Sequence, residues 1–504
     1  MENNVKKAGI KLSETIYKGK GQSMCQADVI VPDIMPDVLK VLQVEGKSVI
    51  ENKVISEGKI SVRGRVDCNI IYLPENMGRI KNIEYSVPFS YAEKVQGAEE
   101  NMLFMAENEV VHLEYQLVNS RKIGIKAIVE TEAEVMGNSD VEYVCPGEEI
   151  NAQIREKHVE ASNIKVCGEK DVTISETVSL PDKTESIIKT NATVTKQEYK
   201  VINNKIVVKG EISVKVLYCR TDGGFDCSKH EIPFTEIVEF PGINEKYQVS
   251  LNMKIKEIKW KLQQVADGKE LLFDISASVC VFGYDVTEFD ITNDIYGLDE
   301  KIIPRVHKVP IKKYYETKKV SKELREIVSL EENQPDIEKI FDLSSNISVA
   351  ECKIQRDETV ANCEIKCSIT YISDKEEEKI QTVKFSVPFE VMTENPGVVT
   401  GADVSVQVKD YSVTSGERGI EAVITVEAEL RPYYMWEENI VTDIKIEENS
   451  GEKRPAIVLY YVQNGDTMWE IAKKYQSKIS AIEEINKITG DSLVPGMMLL
   501  IPKK

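Results

Sequence analysis

The side chains with catalytic or metal-binding potential are few, and their spacing does not bring them together. Four histidines, His112, His158, His230 and His307, stand in dissimilar contexts along 504 residues. A Cys/His hydrolytic centre needs a thiol and an imidazole in partnership, and no such pairing is legible. Cys363 and Cys367 are four apart in an alternating segment. A strand puts both on one face, and that face is apolar, so they read as small core residues rather than metal or redox ligands. None of the ten cysteines stands in a C-x-x-C. Gly19-Lys20-Gly21 lacks the later glycines and the Lys-Ser/Thr of a phosphate loop. Neither H-E-x-x-H nor G-x-S-x-G occurs. Lys312, Lys313, Lys318 and Lys319 read as a solvated basic linker. No catalytic residue, metal ligand or cofactor is expected, and the chain reads as non-enzymatic.

Composition narrows the remaining classes. Charged residues are 29% and hydrophobic residues 42%, which is globular rather than disordered stock. The formal charge of −20 opposes broad nucleic-acid binding. No stretch approaches the ~20 apolar residues of a membrane span. The first residues, 1–20, have no apolar h-region, so the expectation is a chain that is not secreted and keeps its thiols reduced in a cytosol.

The elements come from a threefold repeat. Ile60, Val62, Gly64, Val66, Cys68, Ile70 and Tyr72 alternate with polar residues. So do Ile206, Val208, Gly210, Ile212, Val214, Val216 and Tyr218, and again Ala361, Cys363, Ile365, Cys367, Ile369 and Tyr371. A period of two means one buried and one wet face. Each strand is followed by Val87-Pro88-Phe89, Ile232-Pro233-Phe234 or Val387-Pro388-Phe389, with Tyr-to-Pro spacings of 16, 15 and 17. Proline cannot donate to a ladder, so each motif is expected to start an edge strand. A closing strand runs through residues 125–135, 271–281 and 420–430. An opening strand ends in Pro32-Asp33 and Pro36-Asp37, in Pro181-Asp182, and in Pro335-Asp336, with a short helical turn expected there. The fold class is therefore mainly β: three repeated antiparallel domains, sandwich- or barrel-like, joined by linkers like beads on a string. The expected boundaries are a lead-in at 1–20, repeats at 21–145, 158–300 and 313–440, a linker at 441–457 and a tail at 458–504.

The tail follows helical rules. Thr467-Met468-Trp469-Glu470 is a capping box, and Met468, Ile471, Ala472 and Tyr475 form one apolar stripe. Ser480-Ala481-Ile482-Glu483 reads as a second box, with Gly490 as the stop. Pro495-Gly496 turns the chain into a last strand. The expected order is strand, helix, helix, strand (βααβ), with the two strands paired. Trp469 lies off the stripe and is expected to be an exposed contact residue. The tail carries a formal +1, leaving −21 on the rest.

These residues resemble a lysin motif, the LysM fold. The shared pattern is an aromatic-x-Val strand at Tyr460 to Val462, then Gly465-Asp466-Thr467, Ile471-Ala472, Asn486, and Pro495-Gly496 through Leu499, Ile501 and Pro502. The resemblance implies binding of N-acetylglucosamine-containing glycans at Gly465, Asp466, Thr467, Met468, Asn486, Val494 and Pro495. The three repeats resemble the SPOCS domain of sporulation proteins. Three of these with one LysM are similar to a family of spore-coat morphogenetic proteins. That resemblance implies a scaffold in the mother-cell cytoplasm at the forespore surface. There it would dock a coat basement-layer ATPase through the tail, at the same residues with Trp469, and other coat proteins through the repeats. The alternative it leaves open is binding of peptidoglycan or a lipid-linked precursor.

Overall fold

The computed structural model describes residues 6–75, 79–145, 150–265, 268–331, 334–373, 375, 380–416, 419–447, 455–488 and 493–502. The first repeat has six strands: β1 (Lys7–Ile30), β2 (Val38–Ser56), β3 (Lys59–Pro74), β4 (Lys81–Lys94), β5 (Leu103–Asn119) and β6 (Lys122–Val144). They form two antiparallel sheets, β1-β6-β5 and β2-β3-β4. Alternation works as read: Val66, Cys68, Ile70 and Tyr72 of β3 face Ile123, Ile125, Ala127 and Val129 of β6 across one core. The second repeat copies this with β7 (Ala152–Leu180), β8 (Thr184–Ile202), β9 (Lys205–Arg220), β10 (Phe225–Glu239), β11 (Gln248–Val265) and β12 (Gly268–Gly297). The third splits its first strand into β13 (Lys301–Tyr314) and β14 (Lys318–Val328). It continues with β15 (Ile337–Ile354), β16 (Glu358–Ser373), β17 (Ile380–Glu394), β18 (Gly401–Gly416) and β19 (Gly419–Glu447).

The register confirms the repeat alignment. Gly64 pairs with Phe89, Gly210 with Phe234 and Cys363 with Phe389. Glycine is needed at the first two because a Cβ on Gly64 would meet the Val49 carbonyl oxygen at 2.2 Å and the Phe89 ring at 2.7 Å. The Tyr72 hydroxyl donates to the Pro36 carbonyl and the Tyr371 hydroxyl to that of Pro335, each at 3.1 Å. The x-Pro-Phe motifs do lie on edge strands, β4, β10 and β17. They lie within those strands rather than at their starts, because an edge strand tolerates a missing N–H on its open side. In the first two repeats the opening loop is a turn, closed by Met35 N–H to Pro32 at 2.8 Å and by Thr184 N–H to Pro181 at 2.9 Å, not a helical turn; residues 332–333 of the third lie outside the described residues.

The expected beads and linkers are not what forms. Residues 301–312, read as a linker, belong to β13, which pairs with β19 from Lys301↔Glu447 to Tyr314↔Tyr433. Residues 152–157 open β7, and 441–447 are the end of β19; 146–149 and 448–454 lie outside the described residues. The long strands of the three repeats pack together instead. Leu42, Ile188 and Phe341 each stand 30 residues before their repeat's tyrosine, and Leu73, Cys219 and Ile372 each follow it. All six join one apolar cluster. A second cluster joins Ile10 and Leu12 of β1, Val159 and Ala161 of β7, and Val309 and Ile311 of β13. Matched positions meeting from all three repeats define a pseudo-threefold axis.

Beside that axis, at one shared position, stand Gln43, Lys189 and Asp342, all buried. Lys189 of repeat two lies 2.5 Å from Glu45 of repeat one, close but without hydrogen-bond alignment. Lys215 of repeat two lies 3.2 Å from Asp342 of repeat three. Gln43 of repeat one donates to Thr370 of repeat three at 3.1 Å. Each interface of the ring is thus bridged, and the three sandwiches form one closed body.

The tail adds β20 (Ile457–Tyr461), α1 (Met468–Tyr475), α2 (Ile479–Asn486) and β21 (Met498–Pro502), with β20 and β21 antiparallel. Thr467 caps α1 as read: its hydroxyl accepts the Glu470 N–H at 3.2 Å. The second capping box does not form. Helix α2 starts at Ile479 behind Lys478, which gives no side-chain cap, and Ser480 falls inside its first turn. The helix ends at Lys487 in the left-handed region (φ 55°), and Gly490 lies outside the described residues.

Candidate binding site in the C-terminal tail

The pairing of β20 with β21 brings two loops side by side. The Val462 N–H bonds the Met497 carbonyl at 2.9 Å, and the Gly496 N–H bonds that of Val462 at 2.8 Å. Gln463–Thr467 therefore lies next to Val494–Gly496. Asp466 closes its own loop: one carboxylate oxygen accepts the Gln463 N–H and the Tyr460 hydroxyl, each at 2.7 Å. Those bonds, the backbone one foremost, hold its carboxyl below the usual aspartate range. Asn486 bridges to β21, donating to Leu500 at 2.6 Å and accepting its N–H at 2.8 Å. Met468 is buried in the tail's core. Of the residues expected to bind, then, Gly465, Thr467, Val494 and Pro495 form an exposed rim, with Val494 at 63% exposure. Asp466, Met468 and Asn486 hold the scaffold beneath that rim.

Trp469 departs from expectation. It is not an exposed anchor but 9% exposed, covered by the second repeat. Its indole N–H donates to Asp294 of β12 at 2.8 Å, and the Lys473 ammonium reaches the same carboxylate at 2.6 and 2.8 Å. Trp469 and Lys473, four apart on α1, share a helix face. Tyr296 packs edge-on to the indole with ring centroids 5.0 Å apart, and its hydroxyl donates to the Ser477 carbonyl at 2.8 Å. Arg155 lies 5.3 Å over the indole. Burial pushes the Asp294 carboxyl up, but the bonds from Lys473 and Trp469 outweigh it and hold it below its ordinary value. Off-stripe position could not separate solvent from another domain as the cover of Trp469. The Trp469/Lys473 spacing was the available signal, and on the body side nothing singled out Asp294 or Tyr296.

Comparison with known families decides what these units are. The family described as SipL, SPOCS domain, matches residues 37–118, 183–263 and 336–415, and the LysM domain family matches 460–502. The chain is three SipL SPOCS domains followed by a LysM domain. The chain is also 33% identical over 46 residues to an uncharacterized protein, YkzQ, of Bacillus subtilis (strain 168). That match covers 9% of this chain and 61% of YkzQ's length. No solved structure matches. SPOCS domains mark a sporulation-related protein, and SPOCS and LysM are both non-catalytic binding domains, LysM of the peptidoglycan-binding class. Among the described residues, no helix is long and apolar enough to cross a membrane.

Each SPOCS match spans the four middle strands of its repeat, β2–β5, β8–β11 and β15–β18. The flanking strands complete each sandwich and extend beyond it to build the cluster around Leu12, Val159 and Ile311. Inside the SPOCS cores, Cys68, Cys363 and Cys367 are packed, and burial pushes the Cys367 thiol up to about 12. Such a thiol stays protonated and acts as a small apolar residue. The basic run is not a solvated linker. Lys312 sits over the Tyr433 and Tyr314 rings at 3.9 and 4.3 Å, and Lys319 pairs with Glu429 at 2.7 Å. Lys313 pairs with Glu160, and Lys318 with Glu316 at 3.2 Å. Lys319 meets its acid on the paired strand β19 of its own repeat, whereas Lys313 reaches Glu160 of β7 because the second and third repeats touch.

Proposed function

We propose that this protein is a non-enzymatic scaffold of spore-coat assembly at the forespore surface, in the mother-cell cytoplasm. The LysM rim docks the ATPase of the coat's basement layer, and the SPOCS body receives other coat proteins. The observation that carries this reading is the seating of LysM on the SPOCS ring with Gly465, Thr467, Val494 and Pro495 left uncovered. A rigid, pre-positioned rim loses little entropy on docking, which favours a partner of fixed shape. The LysM match itself favours a second reading, in which the same rim takes an N-acetylglucosamine glycan or a lipid-linked precursor.

Two measurements on the full chain separate them. Val494→Arg puts a long charge on the exposed rim without touching a core position. Pull-down from sporulating cells should recover the basement-layer ATPase with the wild-type chain and lose it with Val494→Arg. Retention of the wild-type chain on purified peptidoglycan, with no ATPase recovered, contradicts the scaffold and supports the glycan reading. A fluorescent fusion should ring the forespore; diffuse signal throughout the mother cell speaks against both.

A further inference from the structure

The surface of LysM opposite in role to its open rim is the one covered by β12, and its chemistry is specific. Asp294 follows a register shift between Thr292 and Asp294 in the β12–β7 pairing. A bulge of this kind re-aims the side chains next to it. It turns the carboxylate to the indole of Trp469 and the ammonium of Lys473. Two residues on, Tyr296 supplies the edge-on ring and a hydroxyl for the Ser477 carbonyl. Leu298 completes the contact in the same apolar cluster. Helix α1 thus reads an extended segment by an acid, an aromatic two residues later and an aliphatic two after that.

This contact is separable in a way the ring is not. The LysM core of Val462, Met468, Ile471, Ala472, Ile482, Leu499 and Ile501 comes from the tail itself. Lifting the tail away returns the Asp294 carboxylate, the Lys473 ammonium and the Trp469 indole to water, where each finds new partners, so no charge is stranded in a core. Contacts between domains of one chain that are small and partly polar permit relative motion by default.

We propose that the Trp469 face is a peptide-docking surface occupied in this structure by the chain's own β12. A partner presenting an extended segment of the pattern Asp-x-aromatic-x-aliphatic displaces it, with its acid on Lys473 and Trp469 and its aromatic ring against the indole. Charge complementarity points to this occupant: the tail is formally +1 and offers an ammonium, and the present occupant offers a carboxylate. The inference holds whichever ligand the rim takes.

The probe is a fluorescent peptide copying residues 290–298 (Asp-Ile-Thr-Asn-Asp-Ile-Tyr-Gly-Leu). Anisotropy titrations use the full chain as wild type, Asp294→Ala, and Asp294→Ala combined with Trp469→Phe. Circular dichroism confirms that each is folded. Vacating the seat with Asp294→Ala should tighten peptide binding at least tenfold over wild type. Adding Trp469→Phe should remove that gain, and so should a peptide with both its central Asp and its Tyr changed to Ala. Equal binding to wild type and Asp294→Ala overturns the proposal, as does binding to neither. A concentration-dependent wild-type dimer that the peptide dissolves also overturns it, because a second copy's β12 is then the occupant.

Discussion

Where the three SPOCS repeats meet, the touching side chains include Leu42, Ile188 and Phe341, drawn from one position in each repeat. Where LysM meets the second repeat, an aspartate, an ammonium, an indole and a phenol do most of the holding. The first contact buries aliphatic and aromatic surface, worth about 1.5–3 kcal/mol per side chain. Opening it exposes that surface to water from three sides. The second is directional and mixed: water replaces the polar bonds to Asp294 when it opens, while the buried rings of Trp469 and Tyr296 with Leu298 supply its apolar part. The ring is therefore part of how each repeat stays folded, whereas the tail is a finished domain parked on it.

The contrast breaks first at Phe341. Phe341→Ala should destabilise the whole body by about 3–5 kcal/mol, read as a lower urea midpoint with LysM helicity retained. If only repeat three were affected, the shared core would not be a shared core.

Acid sharpens the other side. The Asp294 carboxyl is held low when docked. Its contribution is complete above the ordinary aspartate value of about 3.9 and is lost as pH falls through the lower, docked value. Protease sensitivity of the chain between β19 and β20 should therefore rise below that point. In Asp294→Ala it should already be high at neutral pH. No difference between wild type and variant at neutral pH would mean that the carboxylate does not hold the tail.

Smaller effects belong within single domains. Thr467→Ala removes the α1 cap and should cost LysM about 1 kcal/mol, with no change in the body's unfolding. Cys367→Val should leave body stability and partner binding within about 1.5 kcal/mol of wild type, since valine fills the equivalent place at Val214. Appearance of a metal or redox dependence at this thiol would count against a packing role.

The comparison also explains what was legible in the residues. Alternation, the matched tyrosines and the x-Pro-Phe spacing located the sandwiches and their register. The ring escaped because a period of two assigns Ile71 and Leu217 to the wet face, while the neighbouring repeats cover them. Matched apolar residues on that face were the overlooked signal. In the tail, the Gly-Asp-Thr loop and Asn486 were legible as a motif. Their division into exposed rim and internal brace depends on bonds such as Asp466 to Tyr460, which spacing alone does not reveal. Trp469 was misplaced for the same reason as the ring: its cover comes from residues 294–298, far away in the chain.

Hydrogen exchange of the full chain across a urea series, read by mass spectrometry, tests the central claim that three SPOCS repeats form one body with a separable LysM. Protection in β3, β9 and β16 should be lost together at one urea concentration, and protection in α1 and α2 at another. Three separate transitions for β3, β9 and β16 would contradict the closed ring and restore three independent beads.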